Sequence, residues 1–142
     1  MDMTDRKILD HLVLNSRIAM SSLAKLVGMS APSVAERVRH MEDSGIIKGF
    51  TVDLDYSKLG FSIEALVRIR PLPGQLHIVE KMIIEESRFT SCDKVTGEDC
   101  FVVRISAKNI QELDIIMDPF HERAATNTSI VKSSPIRNRQ PK

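Results

Sequence analysis

The chain has 142 residues, 42% of them hydrophobic and 27% charged, with a formal net charge of +1; that length and apolar share suit one domain or two small ones. No apolar run is long enough to span a bilayer, the N-terminus lacks the basic-then-apolar pattern of a signal peptide, and two cysteines do not make a disulfide framework. With no tryptophan and one tyrosine, stacking of bases on aromatic side chains, the usual device for single strands and RNA, is set aside, and a cytoplasmic protein with no membrane association is expected.

In chain order, Thr4 to Ser16 places Ile8, Leu9, Leu12 and Val13 on one helical face, with Thr4 as the expected cap. Ser21 or Ser22 can cap a second, short helix whose Leu23, Leu26 and Val27 share a face, and Gly28 stands where a helix ends in a left-handed residue. Ser30 is the next capping candidate, and Pro32 sits in a first helical turn, where its missing N–H costs nothing. The third helix is expected from about Ala31 to Ser44, with Val34, Val38 and Met41 inward and Gly45 at its end. A helix, a glycine turn and a longer helix predict a helix-turn-helix, the device that places its second helix in the major groove of DNA.

The outward face of that second helix carries Pro32, Ser33, Glu36, Arg39, His40 and Asp43, with Arg37 on the flank. Small polar residues at the tip (Ser30, Ser33) and arginines further along suit a groove, the tip meeting base edges while the flanks grip phosphates. Arg37 or Arg39 can pair with guanine, and Glu36 can accept from a cytosine amine. Arg17, Lys25, Arg37, Arg39 and Lys48 are the phosphate candidates, and His40 faces the same way. An isolated helical hairpin with solvated charges is the plain alternative; the preceding helix, which supplies a shared core, argues against it.

Residues 46–60 connect the two halves. Ile46, Ile47, Phe50, Val52 and Leu54 are expected to form a strand running out of a wing whose tip is Lys48 and Gly49, with a turn at Asp55-Tyr56-Ser57. Phe61 to Arg70 then alternates, with Phe61, Ile63, Ala65, Val67 and Ile69 on one face and Ser62, Glu64, Leu66, Arg68 and Arg70 on the other. Gln75 to Glu86 reads as a helix, 89–96 as a strand, Gly97-Glu98-Asp99 as a hairpin turn and Phe101 to Ala107 as a third strand. A helix with Ile110, Leu113, Ile116, Met117 and Phe120 inward follows, then a fourth strand from Thr128 to Ser133. The order β-α-β-β-α-β predicts a ferredoxin-like sheet with helices on one face. The apolar Leu66 on the other face suggests that a second copy covers it. The fold class expected is α+β: an N-terminal winged helix-turn-helix over 1–48, a connecting strand and linker over 49–60, a ferredoxin-like βαββαβ domain over 61–134, and a flexible basic tail over 135–142.

Charge is unevenly spread: residues 1–50 hold seven Lys/Arg and six Asp/Glu, residues 51–131 nine and thirteen, and residues 132–142 four and none. One N-terminal domain would neutralise perhaps ~3 phosphates, too few for tight binding at physiological salt. A dimer or larger assembly is therefore expected, with two recognition helices about 34 Å apart on one face of double-stranded DNA.

From Thr4 onward the chain resembles the Lrp/AsnC, or feast/famine, family of transcription regulators. The resemblance rests on TDRKILDHLVLNSRIAMSSLAKLVGMS, SVAERVRHMEDSGIIKGFTVDLDYSKLGF, VTGEDCFVV and TSIVK, in that order. It implies a winged helix-turn-helix, a connecting strand, and a βαββαβ domain that dimerises, in some members to octamers, and senses small effectors, often amino acids. It also implies that Thr96, Gly97, Glu98, Asp99 and Cys100 form the effector loop, with Thr128 reaching it in a neighbouring subunit. A glycine turn exposes N–H groups that hold a carboxylate, and a nearby acid can hold an ammonium. Members that bind amino acids often carry an aromatic residue two places after this glycine and an aspartate next; here Asp99 and Cys100 stand there, and the aromatic is displaced to Phe101. A plain acidic hairpin is the alternative reading of the loop.

The expected function is sequence-specific transcription regulation by a homo-oligomer under control of a small effector such as an amino acid. The alternative is an effector-independent architectural protein that bends or wraps DNA. No enzyme is expected, since no nucleophile–base pairing, P-loop or dinucleotide fingerprint occurs. No cofactor or metal site is expected either: His11, His40, His77 and His121 show no ligand spacing with Cys92 or Cys100. Cys92 lies opposite a residue past Cys100 in the hairpin, which argues against a bridge between the two.

Overall fold

The computed structural model describes residues 1–137 and Pro141; Arg139 and Lys142 of the expected basic tail lie outside the described residues. The chain forms two compact units, Met1–Asp53 and Leu54–Pro135.

The first unit contains α1 (Met3–Leu14), α2 (Met20–Val27) and α3 (Ala31–Asp43). Its core is Ile8, Leu12, Leu23, Ala24, Val34, Val38 and Met41, all buried; apart from Ala24, these belong to the inward stripes expected from helical spacing, with Leu9 and Val27 only partly buried beside them. Leu26 and Val13 were expected on those faces and are exposed, each lying in the last turn of its helix. Ser30 caps α3 as expected, its oxygen accepting from the Ser33 N–H, and Pro32 stands in the first turn. Gly28 ends α2 in the left-handed region at φ 70°, a conformation in which any side chain is strained. Two caps differ from expectation. Asp2, not Thr4, starts α1 through a reciprocal capping box with Asp5, because a carboxylate reaches two N–H groups at once. Ala19, not Ser21 or Ser22, precedes α2, which therefore starts without a side-chain cap.

The expected strand over residues 46–54 is absent. Residues 48–55 carry no regular element, and the 3-10 turn Tyr56–Leu59 follows, with Asp55 accepting from the Ser57 N–H. The physical reason is that, among the described residues, no neighbouring strand lies beside this segment to receive its N–H and C=O groups. Ile46, Phe50, Val52 and Leu54 are left exposed.

The second unit contains β1 (Ile63–Pro71), α4 (Leu76–Glu85), β2 (Phe89–Lys94), β3 (Phe101–Ala107), α5 (Ile110–His121) and β4 (Ala124–Ile130). The sheet order is β2-β3-β1-β4, with every neighbouring pair antiparallel. Ala65, Val67 and Ile69 of β1 and Phe101, Val103 and Ile105 of β3 face one way and bury against Val79 and Ile83 of α4 and Leu113, Ile116, Met117 and Phe120 of α5. Phe89 closes this core edge-to-face on Phe120, with ring centroids 5.6 Å apart. Ile110, expected inward, is exposed at the first turn of α5. The fourth strand starts at Ala124 rather than Thr128, since pairing with β1 (Pro71 opposite Ala124, Ala65 opposite Ile130) sets its limits and not apolar alternation.

The other face of the sheet is open and charged. Arg68 stands between Val102 and Asn127, Leu66 between Arg104 and Ser129, and Arg70 beside Ala125. Arg104 pairs with Glu64. Leu66 is thus one of few apolar side chains there, on a face that the alternation of β1 already gave mainly to Ser62, Glu64, Arg68 and Arg70.

Candidate DNA interface and effector loop

The recognition face is built by α3. Burying Val34, Val38 and Met41 turns Ser33, Glu36, Arg39 and His40 outward, and all four are exposed, as is Ser30 at the tip. The Ser30 and Ser33 hydroxyls bond each other at 2.7 Å, so the tip presents a coupled donor–acceptor pair. Arg39 pairs with Glu36 at 2.5 Å, and both side chains are about two-thirds exposed. Surface pairs of this kind are weak and exchange readily, so phosphate or a base edge can take over the guanidinium.

Arg37 differs. Its Nη1 donates at 2.7 Å both to Asp2 and to Asp5, which locks the start of α1 onto α3. Each carboxyl is held below its ordinary value, first by the N–H of the other aspartate and then by Arg37. Arg37 is therefore occupied within the unit, and sequence reasoning missed its partners because they lie 32 and 35 residues away. Arg17 stands after α1, where its N–H is held by the Asn15 side chain, and Lys25 lies on the exposed side of α2. Arg17 and Lys48 both line a groove of about 640 Å³ floored by Leu9, Leu12 and Val13.

In the second unit, loop 95–100 is closed by the Val95 N–H donating to the Cys100 carbonyl at 2.8 Å and the Phe101 N–H donating to that of Asp99 at 2.7 Å. Gly97 has φ 105° and Cys100 has φ 59°. A non-glycine residue in the left-handed region is uncommon and marks stored strain. Thr96, Gly97 and Glu98 are exposed, and Asp99 and Cys100 are half-buried. The loop acids reach back to β1: Glu98 lies 2.8 Å from Arg70 and Asp99 lies 4.0 Å from Arg68. Thr128 stands opposite the core residue Val67, on the helix side of the sheet and away from the arginines, so one chain does not bring it to the loop. Cys92 pairs with Val103 across the hairpin and both cysteines are free, as their spacing suggested. Among the described residues, no helix is long and apolar enough to cross a membrane.

A helix-turn-helix with an exposed second helix, followed by a small antiparallel α+β unit, defines the class of two-part transcription regulators. The AsnC-type helix-turn-helix domain matches residues 1–42, and the Lrp/AsnC ligand binding domain matches residues 64–141. The chain is 32% identical to the uncharacterized HTH-type transcriptional regulator YezC of Bacillus subtilis (strain 168) over 94% of its length and 95% of that protein. Among solved structures it is similar to LrpC of B. subtilis (TM-score 0.88, 28% identity, 94% of this chain and 96% of that one). It is also similar to AsnC of E. coli (TM-score 0.85, 26% identity, 96% and 95%). The chain belongs to the Lrp/AsnC family of HTH-type transcription regulators.

Proposed function

We propose that the protein acts as a cytoplasmic homodimer or larger homo-oligomer that reads a two-part operator with paired α3 helices and responds to a small effector, such as an amino acid, held by its C-terminal unit. The observation that carries the reading is the α3 surface. Ser30, Ser33, Glu36, Arg39 and His40 are exposed on one helix whose opposite face is fully buried. Ser33 and His40 meet base edges and Arg39 exchanges Glu36 for a phosphate or guanine. Arg17, Lys25 and Lys48 ground the unit on the backbone. Arg37 positions α3 through Asp2 and Asp5.

The dimer is supported by the segment after α3. Among the described residues its backbone has no strand partner, and Phe50, Val52 and Leu54 are exposed at every second position. A second copy of the same segment supplies both the missing hydrogen bonds and an apolar neighbour. In this reading residues 1–48 bind DNA, 49–60 link, 61–134 pair and sense, and the residues from 135 form a basic tail.

The test uses a duplex selected by the protein from a random library. Replacing Ser33, Arg39 and His40 together with alanine should remove preference for that duplex over a scrambled one, with the oligomeric mass unchanged. Retained preference would remove α3 from the interface.

A further inference from the structure

The outward side of α3 carries an acid, Glu36, at its centre, and an acid aimed at DNA needs a donor to meet it. Glu36 and Arg39 stand three residues apart, about 4.5 Å along the helix, with the carboxylate on the N-terminal side of the guanidinium. Their side chains are 69% and 66% exposed and meet at 2.5 Å through Glu36 Oε2 and Arg39 Nη2. That bond uses one carboxylate oxygen and one guanidinium nitrogen, so the second oxygen and the remaining N–H groups of the fork are left for an outside partner. Asp43, the other acid on this side, lies one turn beyond Arg39 and is exposed. Arg37 is held by Asp2 and Asp5 on α1, which leaves Arg39 as the arginine of α3 turned toward the groove.

From this arrangement we propose that Glu36 and Arg39 together read a single C·G base pair in each half-site, Glu36 accepting from the cytosine N4 amine and Arg39 donating to O6 and N7 of the paired guanine. The two edges fit as a set. In the major groove a C·G pair shows one donor beside two acceptors, and the Glu36–Arg39 pair shows an acceptor beside a fork of donors. The spacing agrees, since about 4.5 Å of helix covers little more than the roughly 3.4 Å between stacked base pairs. Other partners strand a charge. Arg39 moved to a phosphate leaves the Glu36 carboxylate in the groove without its cation, beside an anionic backbone. An A·T pair offers the N6 donor of adenine, but the adjacent N7 acceptor opposes the second carboxylate oxygen, and thymine offers Arg39 one acceptor and a methyl group. The inference rests on the α3 interface proposed above and assigns the base pair that this interface reads.

The test uses the full chain and the duplex it selects from a random library. Each half-site should contain a C·G pair at which two base analogues each weaken wild-type binding by about fivefold or more: 7-deazaguanine, which lacks N7, and N4-methylcytosine, whose methyl group blocks the amine. The variants then sort the contacts. E36A should bind the unmodified and the N4-methylcytosine duplex alike and stay sensitive to 7-deazaguanine, and R39A should show the reverse. The analogues alter only the DNA, so the wild-type result stands even if a variant is poorly folded. The absence of such a pair, or a folded variant that keeps the sensitivity it should lose, would overturn the assignment. If wild type ignores both analogues while S33A/R39A/H40A loses the selected duplex, the α3 interface stands and this assignment falls. If that triple variant keeps its preference, both fall.

Discussion

Replacing Leu23 with alanine separates the two halves of this protein. Leu23 is fully buried among Ile8, Leu12, Val34, Val38 and Met41. Removing a buried leucine side chain down to its β-carbon costs about 2.7–5.0 kcal/mol, depending on how far the surroundings collapse. The N-terminal unit spans Met1–Asp53, and a unit of that length holds roughly 3–8 kcal/mol in total. The substitution therefore removes roughly a third of its stability or more. The second unit has its own core around Val67, Ile69, Phe101 and Ile105, shares none of these contacts, and keeps its stability. Urea unfolding followed by far-UV circular dichroism and by fluorescence of Tyr56, the only tyrosine and a residue of the second unit, reads the two separately. In L23A the dichroism should show an early transition that the tyrosine does not follow. Preference for the selected duplex should fall with that transition, while the oligomeric mass holds. Coincident transitions with equally shifted midpoints would refute two independent cores.

Three further outcomes follow from the same geometry. Changing Asp2 and Asp5 to asparagine keeps a capping side chain but releases Arg37, so the slope of log affinity against log salt should steepen by about 0.9 for each recognition unit on DNA; filter binding or fluorescence anisotropy across a salt series measures it. Because both carboxyls titrate below the ordinary aspartate value of 3.8 when folded, their contribution is complete above that value and is lost as pH falls through the lower folded ones. The urea midpoint of the N-terminal unit should accordingly lose this contribution only in acid below 3.8, and D2N/D5N should flatten that limb. Replacing Phe50 and Val52 with aspartate places like charges on the exposed segment of each copy, so light scattering should report a smaller assembly while both cores stay folded.

Much of the fold was legible because its periodicities are local. Val34, Val38 and Met41 mark α3, Ser30 and Pro32 mark its start, and Ala65, Val67 and Ile69 mark the buried side of β1. What was missed depends on partners distant in sequence. The Arg37 clamp joins residues more than thirty apart. The limits of β4 come from pairing with β1, since Ala125, Thr126 and Asn127 carry no apolar signal of their own. The segment after α3 has strand composition but, among the described residues, no strand beside it, and composition cannot supply a partner. The 95–100 loop was legible as a glycine hairpin and was marked as a candidate effector loop only by the family resemblance, whereas Arg68 and Arg70 read as the wet side of a strand until the register set them beside Asn127 and the loop acids.

The clamped arginine of α3 also bears on how the proposed regulator would travel. Arg37 answers to both Asp2 and Asp5, so in the proposed docking an arbitrary stretch of duplex gains little from it and holds the molecule only briefly. Short dwell on wrong sites shortens the search through a genome crowded with them. In the proposed docking, a dwell long enough to matter falls to a sequence whose base edges also engage the exposed tip of α3.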